Sequence, residues 1–162
     1  MTDRVSRRDF LRALGSTRKR PLRPPWAVDE EAFVEACTRC GDCRTACPTG
    51  IVVLDRDANA YPALDFHLGE CTFCTGCVSA CHSGALRKQP KQAAWQLRAA
   101  VGQACLAQHR VECRICGDLC LSGAIRFASR AGGMATPLVD AARCTGCGAC
   151  VAPCPTRAID VR

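Results

Sequence analysis

Aromatic side chains are scarce: five Phe, two Trp and one Tyr make up 5% of the 162 residues. A chain so short of large rings cannot fill a wide apolar core, and units below about 70–80 residues need disulfides, metal or oligomerisation to stay folded. Long apolar runs are missing too. None approaches the roughly 18 residues of a transmembrane helix, so no transmembrane segment is expected. Ser6-Arg7-Arg8-Asp9-Phe10-Leu11-Arg12 matches the twin-arginine export motif, but Ala13-Leu14-Gly15-Ser16-Thr17-Arg18-Lys19-Arg20 follows it. A working signal needs about 7–15 apolar residues there. The motif therefore reads as a chance match or a vestigial or decoy signal, and a cytoplasmic location is expected. There is no nucleotide-binding glycine pattern, no nucleophile with a plausible base and no open metal-ligand set, so no catalytic residues and no enzyme activity are expected.

Cysteine is what the chain has in excess, sixteen in all. Disulfides need an oxidising compartment, which the absence of a secretory signal argues against. Structural zinc typically joins two short Cys pairs far apart in the chain. Here three or four cysteines run together at three-residue spacing, the pattern of iron–sulfur ligation.

The formal charge of +7 is unevenly spread. Arg4, Arg7, Arg8, Arg12, Arg18, Lys19, Arg20 and Arg23 against Asp3 and Asp9 give residues 1–25 a net +6, leaving +1 for the rest. A 4Fe-4S cluster with four thiolates carries about two negative charges, so four of them would bring the loaded chain to about −1 and its body to about −7. The composition thus gives no reason to expect a nucleic-acid partner, and describes a basic arm on an acidic body.

The run Cys37-x2-Cys40-x2-Cys43-x3-Cys47-Pro48 recurs as Cys71, Cys74, Cys77 and Cys81-His82, and again as Cys144, Cys147, Cys150 and Cys154-Pro155. A fourth, altered run reads Cys105-x7-Cys113-x2-Cys116-x3-Cys120-Leu121. Seven cysteines from Cys40 to Cys81 reappear 73 residues later, from Cys113 to Cys154. That offset marks duplication of a two-run unit. Only Cys37 lacks its counterpart, since position 110 is Arg and the spare cysteine is Cys105. Its seven-residue first loop departs from the usual geometry, so a more exposed, labile or shifted third centre is expected. His82 and Leu121 read as turn residues, and His67 and His109 as ordinary surface or packing residues.

After each fourth cysteine come Thr49, Ser83, Ser122 or Thr156 and then an aliphatic residue. These tails predict a turn into a short strand whose first aliphatic side chain covers the cluster, with no part assigned to the hydroxyls. Residues 1–26 read as a basic flexible arm ending in the stiff Arg23-Pro24-Pro25-Trp26, and residues 27–36 as a short helix. Residues 51–54 and 61–66 suit two strands joined at Asp57-Ala58-Asn59, repeated by 125–127 and 137–139 around Gly132-Gly133. Lys88 to Leu106, rich in Ala, Gln and Leu, predicts a helix joining the halves. The organisation expected is an arm (1–26), a first two-cluster unit (27–87), a helical connector (88–104) and a second unit (105–162).

These runs resemble the bacterial two-cluster 4Fe-4S ferredoxins over most of residues 37–159. The resemblance implies an α+β fold of two duplicated ferredoxin-like units, with short strand pairs and short helices around the clusters. It also implies crossed ligation, in which the fourth cysteine of each run serves the other cluster. Cys37, Cys40, Cys43 and Cys81 would hold the first cluster, and Cys71, Cys74, Cys77 and Cys47 the second. The third would take Cys105, Cys113, Cys116 and Cys154, and the fourth Cys144, Cys147, Cys150 and Cys120.

A closer resemblance rests on the Ser-Arg-Arg start, Arg23-Pro24-Pro25-Trp26, Ala104-Cys105-Leu106-Ala107, Val111-Glu112-Cys113-Arg114 and Ala124-Ile125-Arg126-Phe127. It is to the NapF family, ferredoxin-type accessory proteins of the periplasmic nitrate reductase system. That resemblance implies a cytoplasmic protein that associates with the precursor of the catalytic subunit, NapA, and assists its maturation by delivering electrons or a cluster. The alternative is a permanent relay subunit of a respiratory or fermentative oxidoreductase.

Overall fold

The computed structural model describes residues 21–55, 60–128 and 135–162. The twin-arginine-like motif and both turns expected at 57–59 and 132–133 lie outside them. Short elements follow one another: α1 (Glu30–Ala36), α2 (Asp42–Thr45), β1 (Val52–Asp55), β2 (Tyr61–Leu64), α3 (Gly76–Ser79) and β3 (Ala99–Val101). Then come a 3-10 turn (Leu106–His109), α4 (Ile115–Asp118), β4 (Ile125–Ala128), β5 (Thr136–Val139) and β6 (Ile159–Val161).

The three sheets among the described residues are two-stranded and antiparallel: β1 with β2, β4 with β5, and β3 with β6. Val52 lies opposite Leu64 and Ile125 opposite Val139, so β-branched residues set corresponding ends of the repeated pairs. Pro62 and Pro137 are tolerated because every strand of a two-stranded sheet has a free edge. The aliphatic tails behave as expected after Cys47, Cys120 and Cys154, where Ile51, Ile125 and Ile159 are buried. After Cys81 there is no strand, only a bridge between Leu86 and Ala27.

The expected connector helix is corrected. Residues 88–104 contain no helix, and Ala99–Val101 form a strand against Ile159–Val161 at the end of the chain. Helix propensity is worth only tenths of a kcal/mol per residue, and tertiary pairing overrides it here. Arg98 and Arg162 exchange backbone hydrogen bonds of 2.8 and 3.0 Å, Ala99 is buried, and the Ala94 carbonyl accepts the Trp26 N–H at 2.9 Å. A helix would consume those groups locally.

The stretch 21–26, expected as the stiff end of a flexible arm, is packed against the body. The Leu64 N–H donates to the Leu22 carbonyl at 2.7 Å, and Pro24, Pro25 and Trp26 are buried. Arg23 donates to both carboxylate oxygens of Glu30 at 2.6 and 2.9 Å and lies over Phe33, 4.8 Å from its centroid. Helix α1 begins where the Asp29 carboxylate accepts the Ala32 N–H at 3.1 Å, and it buries Phe33 completely. One core runs through both halves, joining Phe33, Val52 and Phe66 to Ile125, Val151 and Ile159.

Candidate metal centres

In the three regular runs the loop reverses through two left-handed residues, one before and one after the second cysteine. These are Arg39 and Gly41 (φ 59° and 84°), Phe73 and Thr75 (56° and 67°), and Gly146 and Gly148 (71° and 82°). Left-handed steps beside right-handed ones make a concave backbone that favours negative charge. The third cysteine then sits on a four-residue helix in the first, second and altered runs, where Cys43, Cys77 and Cys116 are buried. Cys150, also buried, sits in a turn.

The altered run closes differently. Its extra residues form the 3-10 turn Leu106–His109, opened by Cys105 and ended by left-handed Arg110 (φ 62°). The Val111 N–H returns to the Leu106 carbonyl at 3.0 Å, which carries the chain back to Cys113.

The sixteen thiols fall into four groups. Cys47, Cys71, Cys74 and Cys77 line a pocket with Ile51, Val52 and Trp26. Cys105, Cys113, Cys116 and Cys154 line another with Leu106, Phe127 and Ile159. Cys120, Cys144, Cys147 and Cys150 line a third with Ala99, Ile125 and Val161. Cys37, Cys40 and Cys81 lie close enough to Cys43 to act on its charge. In chain order of the runs these are sites two, three, four and one. None of the thiols of the Cys105 site is exposed, whereas Cys40 and Cys74 are. The expectation of a more exposed third centre is not met, because the 3-10 turn absorbs the added length.

Burial, reinforced by neighbouring thiols, pushes Cys43, Cys71 and Cys116 up to about 11 and Cys77 and Cys150 up to about 12. Three of the fourth cysteines go the other way. Burial raises Cys47, Cys81 and Cys120, but hydrogen bonds outweigh it and leave them below the ordinary thiol value. Ser122 Oγ lies 3.4 Å from Cys120 Sγ, Thr49 Oγ1 3.5 Å from Cys47 and Ser83 Oγ 3.6 Å from Cys81. Thr156 Oγ1 stands 3.9 Å from Cys154. Backbone N–H groups of Leu86, Ala124 and Ala158 add bonds of 3.4, 3.3 and 3.2 Å to Cys81, Cys120 and Cys154. The hydroxyls passed over in the sequence therefore have a part, and the signal for it was their recurrence two residues after every fourth cysteine.

This donor set fits a polynuclear centre. A zinc ion binds each sulfur at about 2.3 Å and needs four thiols drawn onto one point. Among the described residues no three Cys, His, Asp or Glu side chains converge that closely. The thiols line a shared pocket instead, with backbone N–H donors on their sulfurs suited to a charged cluster.

A family profile for the 4Fe-4S dicluster domain matches residues 36–92 and 109–158. The chain is 41% identical to the ferredoxin-type protein NapF of Escherichia coli K12 over 155 residues, 96% of this chain and 93% of that protein. It is 43% identical to NapF of Haemophilus influenzae over 172 residues, covering 97% and 93%. The chain belongs to the NapF family of ferredoxin-type proteins. Its cofactors are 4Fe-4S clusters. The methylamine utilization ferredoxin-type protein MauM of Methylophilus methylotrophus is 34% identical over 148 residues, 82% of this chain and 66% of that protein. Cys105 falls outside both dicluster matches, so the altered run departs from the general ferredoxin pattern while the NapF relatives match nearly the whole chain. Among the described residues no helix is long and apolar enough to cross a membrane.

Proposed function

We propose that this chain is a non-catalytic, four-cluster protein that assists maturation of NapA, the catalytic subunit of the periplasmic nitrate reductase, in the cytoplasm before export. What carries the reading is the meeting of four groups of four thiols with 41–43% identity to NapF proteins over nearly the whole chain. Cys37, Cys40, Cys43 and Cys81 hold the first cluster, and Cys47, Cys71, Cys74 and Cys77 the second. Cys105, Cys113, Cys116 and Cys154 hold the third, and Cys120, Cys144, Cys147 and Cys150 the fourth. A bound 4Fe-4S cluster supplies a one-electron store at each position. The chain's own groups set how it is held. Deep thiols such as Cys77 and Cys150 exclude water, hydroxyls and N–H groups stabilise charge on the fourth sulfurs, and the basic residues before position 25 favour an acidic surface.

The test is capture of the loaded protein by NapA precursor and by mature NapA. Binding to the precursor is expected, and binding to neither form refutes the assignment. The relay reading keeps one specific support. MauM relatives, named for methylamine utilization, share 32–34% identity over at least 82% of this chain, so similar chains occur in a second system. Tight, stoichiometric co-purification with a mature oxidoreductase would favour it.

A further inference from the structure

Among the described residues, the direct backbone bond between the ligand loops of the two halves joins sites two and four. The Cys71 N–H of site two donates to the Cys147 carbonyl of site four at 2.8 Å. Trp95, from the segment between the halves, lies against the loops of both. Its ring centroid is 5.5 Å from that of Phe73, between Cys71 and Cys74, and its Nε1 donates to the Thr145 carbonyl, between Cys144 and Cys147, at 2.9 Å. Phe66 of the first half meets Trp95 edge-on at 6.1 Å and covers Gly148, where a methyl group would overlap its ring.

The other two sites are each built within one half. Site three is lined wholly from Cys105 onward, and the thiols nearest Cys43 of site one all come from the first half. Within the first half Cys77 of site two neighbours Cys43 of site one, and within the second Cys150 of site four neighbours Cys116 of site three.

We infer that the four sites form a single line in the order one, two, four, three, with Trp95 a positioning residue that holds site two against site four. This rests on the reading of the sixteen cysteines as four cluster sites. The altered Cys105 run then closes one end of the line, with half-exposed Val111 and Ile115 flanking its ligand loop.

The full chain, loaded to about sixteen iron and sixteen sulfide and reduced with dithionite, gives a readout free of activity: magnetic coupling between neighbouring reduced clusters by EPR. Failure to load that far counts against the four-site reading and leaves the order to be judged on coupling alone. Cys113→Ala, which removes end site three, should leave three mutually coupled clusters. Cys147→Ala, which removes site four, should strand site three as one uncoupled signal. The reverse pattern, coupling kept in Cys147→Ala and an isolated cluster in Cys113→Ala, overturns the order. If either variant fails to load, fully loaded Trp95→Ala decides. It should lose at least half of the coupling between the halves while coupling within each half is unchanged, and Trp95→Phe should keep most of it. Wild-type coupling in Trp95→Ala overturns the role of Trp95.

Discussion

Trp26 offers the sharpest test of whether residues 21–26 belong to the folded body. Its ring is 5% exposed, borders site two, donates through Nε1 to the Gln92 carbonyl at 3.2 Å and lies 4.8 Å from Lys88 Nζ. An aromatic side chain buries about 150–250 Å², which at about 25 cal/mol per Å² is worth roughly 4–6 kcal/mol. Alanine keeps about 1 kcal/mol of that, so Trp26→Ala should cost about 3–5 kcal/mol, within the range for large-to-small aromatic changes. The Gln92 bond adds little, since Gln92 is exposed and water replaces the donor. Trp26 also sits at φ 58°, so Trp26→Gly should be about 1 kcal/mol less damaging than its lost contacts alone dictate. Proteins holding clusters seldom unfold reversibly, which makes the rate of bleaching of the cluster absorbance in guanidinium the useful assay. With these contacts broken in the unfolding transition state, Trp26→Ala should bleach about 150- to 5,000-fold faster than wild type. Bleaching within about threefold of wild type would refute the packing described for this segment.

Ser122→Ala removes the hydroxyl 3.4 Å from Cys120 Sγ. A hydrogen bond to sulfur steadies the extra charge of the reduced state, and about 0.5–1.5 kcal/mol corresponds to a site-four potential roughly 20–60 mV lower. An unchanged potential in a redox titration would show that the hydroxyl does not act on the cluster. Loading should also depend on pH. Cys77 and Cys150, pushed up to about 12 by burial and neighbouring thiols, carry protons at neutral pH and must release them to bind iron. Assembly should therefore release protons, and iron retained at equilibrium should rise with pH through the neutral range and fall on acidification. Proton-neutral assembly, followed in a pH-stat, would contradict the raised thiol values.

The grouping of the thiols was legible in the sequence to the extent that three of the four in each group lie on one loop. A cysteine every third residue needs only one loop, and the offset of 73 repeats that loop with its tail. The strand pairs were legible for the same reason, since each closes over a few residues. The span 88–104 was not, because its partners Ile159–Val161 stand some sixty residues away and its composition favours a helix when nothing competes. Nor could spacing disclose how the halves dock, since a repeated ligand spacing carries loop geometry but not the surface between the halves. The clue lay where the repeat departs from itself. Phe73 and Thr75 hold left-handed backbone in the first half at a steric cost, while their counterparts 73 residues on are Gly146 and Gly148 at similar φ. Gly41 has open space around it, so its conformation alone accounts for glycine there. At Gly146 and Gly148 the place of a side chain is taken by the Leu97 carbonyl and the Phe66 ring. Glycine at those two positions thus reflects contact as well as conformation. Gly148→Ala should therefore disturb the join between the halves, where the same change at Gly41 would only strain its own loop.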